Sequence, residues 1–569
     1  MLLGLWLSAC SSPSVREAGA PIRIRWQRDP ETLDPLALPN PQAIEAANLL
    51  HVGLLQLNLH TGTHSPALAE KLPTRRLLGD SLSEYDYQLR PEATWDDGRP
   101  ILATDVAFTL KLMRCPELPN EAAGAQIDFI KDFRLDTANP RRITLICRGQ
   151  VQDYGIASGD FPVLSEAAID SALLLRRFTL PTLRQAQPGV AKQLAALTSR
   201  YQRLDAAHHP ERLGGCGPYR LVQWTTNQSL TFERKPTWWA DKLPQATTVL
   251  QARAQRLRYV IMPDGASATL ALRRHEIDVL TNMPATDFNK LQKSAAALRE
   301  LSFYTGASYD VVYAAFNIAR PALSDRYTRQ ALGYLFDAQA LLQATQFGQG
   351  VRTVGLLAPS SPFYNDSLAL LPYAPDRAAA LLRQGGWRFE KGGWWRPKVA
   401  EPLHVVFRYR AEDNMYATIG LQFRAAAARL GIAVELRPTE PSSFSQTLRA
   451  GDFDMYARTF KGNPFVYNFM PLLHSQAALE SNAMRFGTPA TDQLLLAIAC
   501  EGQAARKQRL LRQLQVVLRR EAPLVPLFYL PYRLAASRQL RHLVVSGLKP
   551  NYEAAALSWA TSDSLVAAR

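Results

Sequence analysis

The chain has 569 residues, 47% hydrophobic and 20% charged, which excludes an intrinsically disordered protein and is too long for a single core, with three to four domains as the prior. The formal net charge is +15, yet lysines and arginines are scattered, with no run longer than a pair and no zinc-finger or RNA-binding motif, which argues against nucleic acid as a partner. A basic surface beside an anionic membrane is the simpler account.

The opening MLLGLWLSAC is an apolar run too short to span a bilayer and reads as the hydrophobic part of a signal peptide. Leu7-Ser8-Ala9-Cys10 resembles the bacterial lipobox, in which the cysteine is lipidated and becomes the first mature residue, although no Lys or Arg precedes the run. Residues 1–20 are therefore read as lipoprotein signal peptide and tether. Export implies an oxidising compartment. Cys115, Cys147, Cys216 and Cys500 allow three pairings that spacing cannot decide between. One disulfide or none is expected, and no CxxC or zinc spacing is present.

Further along, Ile22–Trp26 alternates as a strand and leads into the loop Asp29–Pro35, followed by a helix carrying Ile44, Leu49 and Leu50. His60 and His64 would make a metal pair on a helix, but Gly62 between them predicts a hairpin turn. Tyr85, Tyr87 and Leu89 alternate with polar residues as a strand, and Asp96-Asp97-Gly98 predicts a tight turn presenting an exposed Trp95. Thr104 then offers an N-cap, Asp105 suits the positive end of the helix dipole, and Val106, Leu110 and Met113 share a helical face. Residues 170–212 read as helix-rich. The Gly214–Gly217 loop would cradle phosphate only before a helix, and the alternation after it predicts a hairpin instead.

Ala315-Phe316-Asn317 ends a strand, and Asp325 and Asp337 each begin a helix. A helix from Pro375 to Trp387 ends at Gly385-Gly386. The strand His404–Tyr409, a helix over 414–430 closed by Gly431, and a strand through Ile432, Val434 and Leu436 predict parallel strands with a right-handed crossover. Leu510, Leu514 and Leu518 mark an amphipathic helix before a strand from Pro526 to Leu530.

Several of these strings, in this order, resemble the extracellular solute-binding proteins, family 5, the dipeptide- and oligopeptide-binding proteins of ABC importers. They are Thr32-Leu33-Asp34-Pro35; Pro66–Glu70; Leu89-Arg90 with Trp95, Asp97-Gly98, Ala103, Asp105-Val106 and Phe108; Gly215–Tyr219 with Trp238-Trp239; Glu276-Ile277-Asp278; and Phe316-Asn317 with Asp325, Ala331 and Leu332. Cys216 stands in a family threonine place and His275 in a glycine place. The resemblance covers the chain from about residue 21. It implies an α/β, two-lobed fold of the periplasmic-binding-protein type II kind, with an extra domain and discontinuous domains joined by a hinge. Lobe I would comprise 21–60, 190–300 and 526–569, the extra domain 61–189, and lobe II 301–525.

No HExxH, G-x-S-x-G, Walker or G-x-G-x-x-G motif is present, so no enzyme is indicated, and the resemblance implies no cofactor or metal. It implies a ligand held between the lobes, largely by main-chain hydrogen bonds. Peptide-binding members pair a carboxylate with the ligand's α-ammonium in a Trp-x-x-Asp motif. Here Phe460 falls on the Trp and Asn463 on the Asp. A buried ammonium needs a compensating charge that Asn does not supply. Three readings stay open: the ligand lacks a free α-amine; another acid serves, with Glu31 or Asp34 the nearest candidates; or transport binding has been lost. Asn463-Pro464 also reads as a plain turn. Asn463 by itself predicts that free-amine peptides gain little over N-acetylated ones. Arg458 is a candidate for a ligand carboxylate, and Trp26, Tyr456 and Phe460 for the pocket wall, with a solvated strand residue and core packing as the plainer alternatives.

The expected function is a substrate-binding lipoprotein of an ABC importer, capturing a peptide or peptide-like solute. The alternatives are a ligand-sensing or scaffold lipoprotein of the same fold without import and, third, a hydrolase. Expected partners are the permease and ATPase subunits and the membrane, through lipidated Cys10, with the chain a monomer in the periplasm or at the cell surface.

Overall fold

Two strands, Leu301–Phe316 and Leu524–Ser537, run the length of an eleven-stranded sheet's two halves. They pair antiparallel, Leu301–Ala307 against Pro531–Ser537 and Val311–Ala315 against Leu524–Tyr529, with the register broken between Ala307 and Val311. From the first long strand the sheet continues through Met455–Lys461, His404–Arg410 and Ala433–Thr439. From the second it continues through Val279–Thr281, Ile22–Trp26, Arg256–Ile261, Ser229–Arg234 and Tyr219–Thr225, and the two-residue strand Val351–Arg352 pairs with it off this path. The computed structural model describes residues 17 and 19–560 except 39, 80, 150, 152, 185–187, 398, 400, 412–413, 466 and 478–480. Cys10 and most of the signal-peptide segment lie outside these residues.

Continuous apolar runs make the long strands central, because a strand covered on both faces has no polar side to alternate with. Val311 to Phe316 are all buried. The second strand extends well past the Leu530 expected from sequence, since Leu534, Ala535 and Ala536 are buried too. In one half of the sheet, Arg326–Gly333, Ala338–Gln346 and Asn414–Ala428 cover one face around Phe316, Phe407 and Phe423. Pro441–Ala450, Pro489–Cys500 and Ala504–Glu521 cover the other. In the other half, Pro41–Leu50 packs on one face, and Gly265–Arg273 and Ala285–Gln292 on the opposite one. A separate antiparallel sheet, in the order Thr74–Leu78, Leu82–Gln88, Arg142–Arg148, Ile130–Leu135, shares a core with Ala103–Leu112 and Pro188–Leu204. Among the described residues, no helix is long and apolar enough to cross a membrane.

The predicted parallel pairing of His404–Arg410 with Ala433–Thr439 is present, as is the hairpin of Leu55–Asn58 with Thr63–Pro66. Asp325 and Asp337 cap their helices by accepting from the backbone N–H groups of Thr328 and Ala340. Two local expectations are corrected. Trp95 is buried rather than exposed, because the turn closed by Gly98 N–H to Trp95 C=O folds its large apolar ring into the core that also holds Phe108. Thr104 is not the N-cap: the helix begins at Ala103, and Asp105 reaches back to the N–H of Leu102 at 2.9 Å. Cys115, Cys147 and Cys216 are buried free thiols and Cys500 an exposed one.

The first helix, the first strand and the C-terminal segment meet at one buried carboxyl. Glu45 accepts from Trp26 Nε1 at 2.9 Å and from the Tyr552 hydroxyl, while Trp26 stacks on Tyr259 at 3.9 Å. Burial raises the Glu45 pKa from 4.5 to about 7, against the lowering effect of its hydrogen bonds. A raised acid binds its proton more tightly folded than unfolded, so its contribution to stability is present below pH 4.5 and lost as pH rises to about 7. The loss amounts to roughly 3 kcal/mol. Denaturant melts of E45Q between these limits should show a flatter pH dependence than the parent protein, and an unchanged slope would exclude Glu45 as the group responsible.

Candidate functional site

A cavity of about 530 Å³ opens where segments from the two parts of the chain face each other. One wall is the turn and strand start Gly62–His64 with the short helix Tyr154–Ala157 and its flanks, from Asp153 to Asp160. The opposite wall is the loop Leu356–Phe363 and the segment from Phe460 to Phe469. Tyr309 and Tyr529 form the floor, both on the long strands at their register break. The wall segment follows the strand Met455–Lys461 and stays against the floor because Gly462 donates its N–H to the Tyr309 carbonyl at 2.9 Å. A Cβ at Gly462 would stand 2.7 Å from that oxygen, so a side chain there would push the wall away.

The aromatic wall is internally braced. Phe363 meets Tyr467 edge-on at 4.9 Å, and Phe460 packs against Phe469 at 6.1 Å. Two contacts cross the cavity. Phe465 sits edge-on to the His64 ring at 5.1 Å. Lys507, on the helix Ala504–Glu521, pairs with Asp153 at 2.6 Å, and its side chain is only 9% exposed. His64 Nε2 is 3.1 Å from Asp160 Oδ2, and the Asp160 side chain remains 53% exposed. Asp153 and Asp160 are the acids of the lining; the first is committed to Lys507, whereas the second has a histidine for its neighbour.

Of the residues singled out from sequence, the cavity brings together Phe460 and Asn463. Asn463 uses its side-chain oxygen to accept from the Phe465 N–H at 2.8 Å, the turn that Asn-Pro suggested. The others lie elsewhere. Trp26 belongs to the Glu45 cluster. Asp34 is buried and accepts from Leu36 N–H at 2.9 Å and from the Tyr201 hydroxyl at 2.8 Å, with burial raising its pKa against both bonds. Tyr456 is buried with its hydroxyl 3.4 Å from that of Tyr313. Trp26 and Tyr456 are core groups because helices cover their faces of the sheet, and Asp34 is a buried loop residue tied to the helix Pro188–Leu204 through Tyr201. Glu31 is exposed on its loop, and Arg458 is exposed on its strand opposite Tyr313.

Cationic groups gather beside the crossing strands. Lys461 has its pKa lowered by burial first, then by Lys549, Arg28 and Arg410, with Asp310 opposing. Lys549 Nζ is 3.3 Å from Asp310 Oδ1. Arg28 and Lys549 come from one half of the molecule, and Lys461 and Arg410 from strand ends of the other. Sequence reading missed Asp160, Tyr309, Tyr529 and this basic group, for they sit in seven separated segments without a shared motif. The only local signal was the aromatic density of Phe460 to Phe469. Among the described residues, no group of three or more His, Cys, Asp or Glu could hold a metal ion.

Residues 64–478 match the family model of the bacterial extracellular solute-binding proteins, family 5, middle region. The chain is 23% identical over 514 residues to the dipeptide-binding protein of Escherichia coli, covering 87% of this chain and 86% of that protein. Its fold is similar to that of the oligopeptide-binding protein AppA of Bacillus subtilis, solved with a nonapeptide, with TM-score 0.70, 17% identity and coverage of 96% and 100%. It is also similar to NikA of Brucella suis in complex with Fe(III)-EDTA, with TM-score 0.74, 18% identity and coverage of 95% and 100%. With the family model matched over most of its length and a mixed α/β fold shared end to end, this chain belongs to family 5 of the bacterial extracellular solute-binding proteins.

Proposed function

We propose that this protein is the solute-capturing component of an ABC importer and takes up a peptide or peptide-like solute between its two halves. The observation that carries this reading is the cavity itself, walled by Gly62–His64 and Asp153 to Asp160 on one side and by lining residues of 356–363 and 460–469 on the other, and floored by the two long strands that join the sheet's halves. Residues 21–60, 190–300 and 526–569 are assigned to lobe I, 61–189 to an extra domain and 301–525 to lobe II, with the register break as the hinge. Capture needs no covalent chemistry, so the protein is read as a binding protein and not an enzyme. Lipidation of Cys10 would tether it to the membrane, where a permease and its ATPase receive the solute from a monomer.

Asp160 is proposed as the acid that Asn463 no longer supplies. It reaches the cavity from the opposite wall, half exposed and ready to receive an ammonium. The basic group around Lys461 would receive the other, anionic end. This reverses the expectation drawn from Asn463 alone, and a free α-amine is then preferred over an acetylated one. The Asp153–Lys507 pair joins the walls and favours closure, with the Lys507 side chain 9% exposed and that of Asp153 35%, so salt screens it less than a fully exposed pair.

Native mass spectrometry of a soluble Cys10→Ser form should reveal co-purified masses that fragment as peptides. Repeated recovery of an empty protein, with no binding from a dipeptide and tripeptide library, overturns the import reading. In calorimetry, D160N should bind free-amine peptides at least tenfold more weakly, since a hydrogen bond to a charged group contributes roughly 1.5–3 kcal/mol, while N-acetylated peptides are unaffected. Equal losses for both would remove Asp160 from the recognition of the amine. K507M should leave the fold intact but shift the ligand-free protein to a larger radius of gyration in X-ray scattering, and an unchanged profile rules out the pair as a latch.

A further inference from the structure

A second cavity, of about 340 Å³, lies within the half built on His404–Arg410 and Met455–Lys461, and shares no lining residue with the first. It is enclosed by the C-terminal ends of Arg326–Gly333 and Ala504–Glu521, by Pro375–Gln384 and by the start of Leu524–Ser537. Leu368, Leu371, Leu381, Leu518 and Val525 supply an apolar lining, and Val516 on the same wall is 45% exposed, so the lining reaches solvent.

Four arginines stand around this apolar space, and the fold uses two of them. Arg329 is buried and donates to the carbonyls of Leu323 at 2.7 Å and Glu521 at 2.6 Å, which satisfies the end of the Ala504–Glu521 helix. Arg520 pairs with Glu521 at 2.8 Å. Arg377 and Arg519 are placed differently. The Arg377 guanidinium lies over the Tyr334 ring at 4.8 Å, and Arg519 donates to the carbonyl of Ala369. Among the described residues, neither takes part in an ion pair with a carboxylate. Burial lowers the Arg519 pKa, Tyr334 opposes this and Arg377 adds to it, so both arginines neighbour Tyr334 in the lining. Arg377 is exposed and Arg519 half-buried, so both guanidiniums stand at the mouth of the apolar space with N–H donors left over for an anion.

We propose that this cavity binds an aliphatic carboxylate, its chain along Leu371, Leu381, Leu518 and Val525 and its head between Arg377 and Arg519. A guanidinium fork matches the two oxygens of a carboxylate, and a ring-stacked Arg is already held in position. Apolar walls with two cationic side chains in the lining give the usual composition of a small-molecule site. Nothing in this assignment depends on what the interlobe cavity binds.

The test is calorimetry of the full soluble chain, Cys10→Ser, with decanoate as the probe. Decanoate should bind saturably, at one site, about tenfold or more tightly than acetate or methyl decanoate, which isolate the head and the chain. The R377Q/R519Q double variant should weaken decanoate about tenfold or more. V516W, at an exposed position where folding is little affected, should block the cavity and abolish decanoate binding while peptide binding is retained. The proposal is overturned if decanoate does not saturate, if its methyl ester binds equally well, or if bound peptide displaces it. Tighter binding of decyl phosphate than of decanoate overturns the carboxylate assignment. Should the double variant fail to fold, V516W decides.

Discussion

The molecule depends on one pairing, Leu301–Phe316 against Leu524–Ser537. The remaining strands of the large sheet are added to one or the other of these two, so both cores are built outwards from the same antiparallel ladder. Burial on both faces anchors the strands within each half. Between the anchored parts, the ladder breaks register from Ala307 to Val311. There the backbone is no longer held by a full set of ladder bonds, which is where a small change of dihedral angles costs least. Glycines let other segments approach this stretch: Gly462 bonds to Tyr309, and a Cβ on Gly547 would overlap the carbonyl oxygen of Ala307 at 1.9 Å.

The cavity follows from the same constraint. Strands that cross from one core to the other leave Tyr309 and Tyr529 at the junction as a floor, and loops from both sides become walls. The charges are distributed accordingly. Asp153 and Asp160 come from the wall formed early in the chain, Lys507 from the opposing half, and the group around Lys461 from strand ends beside the crossing. Apolar rings fill the space between these polar groups, and each polar contact there is exchanged with less water than at the surface. A cavity so arranged can orient a molecule by its ends while remaining tolerant of what lies between.

Legibility in the sequence differed by the distance over which each feature is decided. The helix starts at Asp325 and Asp337 were legible because a cap is a contact with the third residue on. The parallel unit from His404 to Thr439 was legible because each element carries its own period and closing Gly431. Where neighbours from far away decide, the local pattern was not enough. Trp95 sat in a sound turn but its ring went inward; Trp26, Asp34 and Tyr456 were aromatic or acidic as a site requires, yet helices cover them. Asp160 carried no local signal, since nothing near it in sequence distinguishes it from any surface acid.

By itself, the sequence determined the class of fold, the order of the elements and the family, because periodicity, capping and the ordered strings are properties of short segments that survive without their neighbours. Only the tertiary structure decided which residues face the cavity, which acid stands opposite Asn463 and where the arginines lie against apolar space. Those are properties of surfaces assembled from segments hundreds of residues apart, and the depth of a side chain is set by what packs over it.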